Sequence, residues 1–255
     1  MKVGFVADVH EDVSSLEYAI ELLHDNNCDK IVCLGDIVGF AIPFYRNITY
    51  RDADACVKSV INNCNQTVIG NHDLYAIKKI PANKAGFEYT DDWYSLEYET
   101  RARLSKNKIW LYEDNEVPCT LSEESNFFLN SLNETDVVVL DEFSIFISHF
   151  CHPDYTGSSI HFPSEGFHLK NHFANVEIKK CALSFSGHGH PEGCLLGSNE
   201  RIISLGFGTR NIKLDEQWIV VPSVAKTSRK NGVLIFDSTQ MQLNIIPLTK
   251  TKVQV

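Results

Sequence analysis

Five times along the 255-residue chain, a short apolar run of strand length stops at a cluster of Asp, Asn or His. Residues 2–7 run into Asp8-Val9-His10, residues 30–34 into Gly35-Asp36, and residues 66–69 into Gly70-Asn71-His72-Asp73. Further on, residues 143–148 end at His149, and residues 181–186 end at Gly187-His188-Gly189-His190. Helical stripes separate the first three runs. Leu16, Ala19, Ile20 and Leu23 follow a capping-box pattern at Ser14-Ser15-Leu16-Glu17, and Val57, Val60, Ile61 and Cys64 form the second stripe. The alternation reads βαβαβ and predicts three parallel strands with helices packed on them. Ligands of such sheets gather at the carboxyl ends of the strands, where the polar clusters stand.

Strand signals return after residue 133. Segments 136–140 and 143–148 flank Asp141-Glu142 as a hairpin, and 201–205, 218–221, 232–236 and 242–246 follow 181–186. About ten strands tend to split into two packed sheets. The expected fold class is therefore α/β: a four-layer αββα sandwich of two stacked mixed β-sheets flanked by helices, in one domain over 1–255. Residues 81–133 show no β alternation. Trp93, Leu96, Thr100 and Leu104 fit one helix face with Asp91 or Asp92 as cap. This predicts a mostly helical, aromatic-rich insertion near the mouth of the site.

A net charge of −10 argues against a long nucleic acid as partner. Small phosphorylated substrates, nucleotides included, remain, because bound cations reverse the local field. No run reaches the ~18 apolar residues of a membrane span, and the N-terminal apolar stretch is too short for a signal peptide. A cytoplasmic location is expected, with the eight cysteines reduced and the Asn-x-Thr sequons at Asn47, Asn65 and Asn133 accidental.

Asp8, Asp36 and Asp73 brought together would repel, and burying them unpaired would be costly. Divalent ions remove that cost, and Asp and His suit Zn, Mn or Fe. The i, i+2 spacing of Asp8 with His10, and of His188 with His190, places each pair on one face of an extended chain. Gly189 between the latter two permits close backbone approach. Each piece alone is common: Asp-x-His at a surface strand end, Gly-Asp in a turn, a lone His149 as a hydrogen-bonded structural histidine. Five such pieces in order, each after an apolar strand, point to one site.

Together, Asp8-x-His10, Gly35-Asp36, Gly70-Asn71-His72-Asp73, His149 and Gly187-His188-x-His190 resemble the signature of the calcineurin-like metallophosphoesterase superfamily. Gly35-Asp36-Ile37-Val38-Gly39-Phe40 and Thr100-Arg101-Ala102-Arg103-Leu104-Ser105 resemble its small bacterial branch. The resemblance implies two divalent ions, Mn, Fe, Zn or Ni. Asp8, His10, Asp36 and His190 would hold the first, and Asp36 would bridge to a second completed by Asn71, His149 and His188. It further implies phosphomonoester or phosphodiester hydrolysis by in-line attack of a metal-bridging hydroxide. His72 would act on the phosphoryl group, oriented by Asp73. The sequence departs from the pattern at Glu11-Asp12, at Phe150, at Val221-Pro222-Ser223 and in extra residues 106–123, which bears on substrate access. Two other classes compete: a non-catalytic scaffold of the same fold that binds proteins, and a mononuclear zinc protein using only His188 and His190. His152, His161, His168 and His172 read as loop residues, and Arg46, Arg51, Arg101, Arg103, Arg210 and Arg229 as surface cations.

Overall fold

The computed structural model describes residues 1–46, 48–214 and 217–248. The sequon asparagine Asn47 and residues 249–255 of the expected domain lie outside the described residues. The chain opens with β1 (Lys2–Val6), α1 (Val13–Asp25), β2 (Lys30–Cys33) and the short β3 (Phe40–Ala41). Next come α2 (Ala53–Asn63), β4 (Gln66–Thr67), α3 (Asn71–Ala76), α4 (Tyr98–Ser105), β5 (Glu116–Val117) and α5 (Glu123–Ser131). β6 (Thr135–Val139) and β7 (Ser144–Ser148) precede α6 (Lys170–Ile178) and β8 (Cys181–Ser186). The remaining strands are β9 (Cys194–Gly197), β10 (Ile202–Leu205), β11 (Gly208–Asn211), β12 (Trp218–Val220), β13 (Gly232–Asp237) and β14 (Gln242–Pro247).

Two mixed six-stranded sheets result, in the orders β11-β14-β13-β1-β2-β4 and β10-β9-β12-β8-β7-β6. As the βαβαβ pattern predicts, β1 pairs parallel with β2 and β2 with β4. In the second sheet β7 and β8 are parallel, and β6–β7 is the expected antiparallel hairpin. Period-two alternation sorts the side chains. Val3, Phe5 and Ala7 enter the core between the sheets with Ile145, Ile147, Leu183 and Phe185, whereas Val6 faces the helices. The Phe5 and Phe185 rings stack at 4.4 Å. The stripe Leu16, Ala19, Ile20 and Leu23 of α1 packs with α2 and Leu129 of α5 on the outer face of the first sheet. On the second sheet, Phe173 of α6 meets Trp218 and Val220. The layers are αββα. Each fully buried Phe or Leu contributes about 1.5–3 kcal/mol. No helix among the described residues is long and apolar enough to cross a membrane.

Details differ from expectation. α1 starts at Val13, and its cap is Asp12 rather than Ser14: the Asp12 carboxylate accepts from Ser15 N at 3.0 Å and Ser15 Oγ at 2.8 Å. The stripe from Trp93 to Leu104 is not one helix. Trp93–Ser95 is a 3-10 turn, Leu96 is extended, and α4 starts afresh. Trp93 is held instead in a cluster with Phe87 and Ile109. Irregular chain joins the helices of 81–133, and β5 pairs antiparallel with β3.

Candidate metal centre

β1, β2 and β4 end beside one another, and β7 and β8 end on the facing sheet. The backbone leaves these strands through tight turns. Val9 N and His10 N both donate to Asp36 O, at 2.8 and 3.0 Å, and Asp8 N donates to Gly35 O at 3.0 Å. Asp8, His10, Asp36, His188 and His190 all adopt left-handed backbone, φ 42 to 63°. That conformation costs a residue with a Cβ roughly 1–2 kcal/mol and persists where the surroundings impose it. Glycine completes the turns. Gly35 has φ +90°, and a Cβ there would lie 2.6 Å from Gly70 N; at Gly39, φ +91°, a Cβ would lie 2.5 Å from His72 Cβ and 2.7 Å from its Nδ1.

Among the described residues the donors form three overlapping triads: Asp8–His10–His190, His10–Asp36–His72 and Asp36–His149–His188, each with its ligand atoms within 4.8 Å of one another. Asp36 belongs to two of them. His190 Nε2 is 3.1 Å from Asp8 Oδ1, and His149 Nε2 is 3.0 Å from Asp36 Oδ2. Carbonyl acceptors set two tautomers. His10 Nδ1 donates to Gly39 O at 2.8 Å and His149 Nδ1 to Leu34 O at 2.6 Å, so each Nε2 is left for the centre. His188 and His190, expected on one face, join different triads. Their left-handed φ values break the extended geometry that would have aligned them. At Gly189 a Cβ would meet Val220 Cγ1 at 3.0 Å, a tight approach to a side chain rather than to backbone.

The donor set fits cations. His149 Nε2 is buried without a hydrogen bond although it faces Asp36 Oδ2, and Asn71 Oδ1 is likewise buried without a partner. A proton or a shared cation reconciles the His149–Asp36 contact: with no ion, Asp36 outweighs burial and raises the His149 pKa to about 9, and a bound cation would take the proton's place. Asn71 is held by its other end, Nδ2 donating to Tyr112 OH at 2.9 Å. Burial, then the neighbouring His72, lowers the pKa of His10 to about 3; burial, then His149, lowers that of His188 to about 3. Both stay neutral, the form that ligates.

His72 has a different character. Burial works against its charge, but Asp36 and Glu116 outweigh burial and raise its pKa to about 9. Nδ1 donates to Glu116 Oε2 at 2.7 Å, while the backbone N donates to Asp36 Oδ1 at 2.9 Å. Asp73 does not orient His72. Its carboxylate accepts from the backbone N–H groups of Asp36, Ile37, Val38 and Gly70, at 2.8 to 3.0 Å. It therefore shapes the Asp36 turn and the start of α3. Buried Glu11 similarly ties Gly39 N, at 3.2 Å, to Arg51 Nη1, at 2.8 Å. Ser223 Oγ donates to Asp8 O at 3.0 Å from the late turn.

A cleft of about 470 Å³ opens over Asp36, Asn71, His72, His188 and His190. Tyr45 stacks on His10 at 4.3 Å, and Tyr112 lies 4.7 Å from His72. Sequence reading missed Glu116, Tyr112 and Tyr45, since none carries a local motif, and it noted Ser223 only within the altered late turn. The surplus candidates scatter. His152, His161 and His168 line a separate cavity of about 550 Å³. His172, expected in a loop, is buried on α6. Arg51 and Arg101 hold Glu11 and Glu113, and Arg46 and Arg229 reach the cleft.

Residues 1–192 match the family model described as calcineurin-like phosphoesterase, a span that contains every ligand position and ends just after His190. The chain belongs to the calcineurin-like phosphoesterase family. No curated protein matches it. Among solved structures it is similar to a metallophosphoesterase from Sphaerobacter thermophilus, with TM-score 0.63 and 19% identity over 98% of this chain and 88% of that one. It is also similar to the hypothetical protein PH1004 from Pyrococcus horikoshii OT3, with TM-score 0.59 and 16% identity over 98% of this chain and 89% of that one. At these identities the likeness is one of fold. In this calcineurin-like phosphoesterase both sheets contribute to the centre, three strand ends from one and two from the other.

Proposed function

We propose that the protein is a dinuclear metal-dependent phosphoesterase acting on small phosphomonoesters or phosphodiesters. The observation that carries this reading is the pair of triads Asp8–His10–His190 and Asp36–His149–His188, linked through the His10–Asp36 contact, beside the unpartnered Asn71 Oδ1. Asp8, His10, Asp36 and His190 would hold one divalent ion, and Asp36, Asn71, His149 and His188 the other. When bound, the ions supply an activated water and neutralise charge building on the phosphoryl group. The protein supplies the rest. His72, its Nδ1 bound to Glu116, would donate a hydrogen bond to a phosphoryl oxygen or a proton to the leaving oxygen. Glu116 fixes the His72 ring, and Asp73 fixes the Asp36 turn.

Metal analysis of the purified protein, with steady-state rates on p-nitrophenyl phosphate and its bis ester under added Mn, Fe, Zn or Ni, tests the proposal. About two ions per chain and metal-dependent turnover are expected. A protein that takes up no metal and hydrolyses neither ester would instead be the non-catalytic scaffold.

A further inference from the structure

Three aromatic side chains that the fold leaves exposed converge on one place. Phe44 follows β3, Trp110 precedes β5, and Phe162 comes from the loop after β7; their exposures are 60%, 46% and 41%. All three line the cleft whose floor holds Asp36, His72 and His188. Single exposed aromatics are ordinary. Three from separate segments line one cleft over the candidate metal centre, Phe162 backed by buried Phe150 at 4.7 Å, and together leave an exposed apolar surface there. Phe162 lies nearly parallel to the His188 ring, 5.3 Å and 16° apart, so the aromatic surface begins at a candidate ligand and runs outward.

The same cleft carries Arg46 and Arg229. Arg229 is anchored by Nη1 donating to His190 O at 2.9 Å. On a chain of net charge −10, two guanidinium groups at the mouth are a local attraction for anions. Flat apolar faces beside guanidinium groups suit a planar base joined to phosphate better than an aliphatic chain or a sugar phosphate. About 470 Å³ is room enough for a ligand of nucleotide size.

We infer that the cleft selects phosphoesters bearing a nucleobase: the base stacks on Trp110 and Phe162, and Arg46 and Arg229 face any additional phosphate. The inference rests on the phosphoesterase reading for the position of the reacting group. Its test does not depend on turnover.

Of the three tryptophans, Trp93 and Trp218 are 2% and 1% exposed, so a ligand in the cleft is reported by Trp110. Adenosine 5′-monophosphate titrated into the metal-loaded protein should quench tryptophan fluorescence saturably, whereas ribose 5-phosphate should not. The quench should weaken in Phe162→Ala, and calorimetric affinity for the nucleotide, but not for ribose 5-phosphate, should fall in Trp110→Leu. In parallel, the ratio of kcat/KM for thymidine 5′-(p-nitrophenyl phosphate) to that for glycerol 2-phosphate should fall about tenfold or more in Trp110→Leu and Phe162→Ala, as loss of a base–aromatic stack implies. Equal binding of the nucleotide and the sugar phosphate, or no nucleotide quench in the wild type, overturns the inference. If the base-dependent quench is present but no ester is hydrolysed, base recognition stands and the hydrolase reading fails.

Discussion

His72 and Glu116 meet through a single 2.7 Å hydrogen bond, and that bond ties a strand-end motif to a segment far along the chain. If His72 delivers a proton to the leaving oxygen, its value depends on how poor the leaving group is. His72→Ala should lower kcat on an alkyl phosphate by about 10²–10⁴-fold and on p-nitrophenyl phosphate much less. Equal losses on both esters in steady-state assays would exclude the proton-donor role. Glu116→Gln removes the charge that orients and charges the ring while keeping a polar side chain. About a tenfold loss of kcat on the alkyl ester is expected, with metal content retained by elemental analysis. Loss of metal in that variant would instead make Glu116 part of the metal cage.

Helix ends and helix faces carry the next layer. Asp12 caps α1 and also accepts from Lys226 N at 3.2 Å, which links the helix to the turn after β12. Asp12→Ala should cost about 1–2 kcal/mol, read as a lower midpoint in chemical denaturation. On α6, His172 is wholly buried, Nε2 paired with Ser184 Oγ at 2.8 Å and Nδ1 accepting from His152 N at 3.2 Å. Burial, and then His152, lowers its pKa from 6.5 to about 3. The folded state therefore favours neutral imidazole. The stability it confers is present above pH 6.5 and is lost as the pH falls toward 3, at no more than about 1.4 kcal/mol per pH unit. Thermal melts between pH 7 and 4 should show a shallower decline in His172→Gln than in the wild type; parallel curves would mean that another group governs the acid side.

At the scale of the molecule, the two sheets are held by the core between them and by the centre at their common edge. Phe5 and Phe185 stack across the interface, and Phe5→Ala should cost about 3–5 kcal/mol in denaturant unfolding. The candidate ligands come from strand ends of both sheets, so bound ions would join the sheets as well as serve chemistry. Ions at a hundredfold excess over Kd would add about 2.7 kcal/mol per site. A chelator should therefore lower Tm and added Mn restore it. Asp36→Asn, lacking the shared carboxylate, should melt at the same temperature with and without chelator. A wild-type Tm indifferent to chelation would count against two bound ions.

The alternation of apolar runs and helical stripes was enough to determine the stacked sheets and the parallel order of β1, β2 and β4, because burial acts on every residue of a strand and leaves a period in the chain. The same runs located Asp8, His10, Asp36, Asn71, His149, His188 and His190 at strand ends. The family resemblance divided those donors between two ions, and only the tertiary structure decided the contacts that position them. His188 and His190 part because a left-handed backbone turns them away from strand alternation. Asp73 binds backbone N–H groups instead of His72, and Glu116 reaches His72 from the β3–β5 pair. Such contacts join residues distant in sequence through the packing of separate segments, and packing of that kind imposes no period or spacing on the chain that carries it.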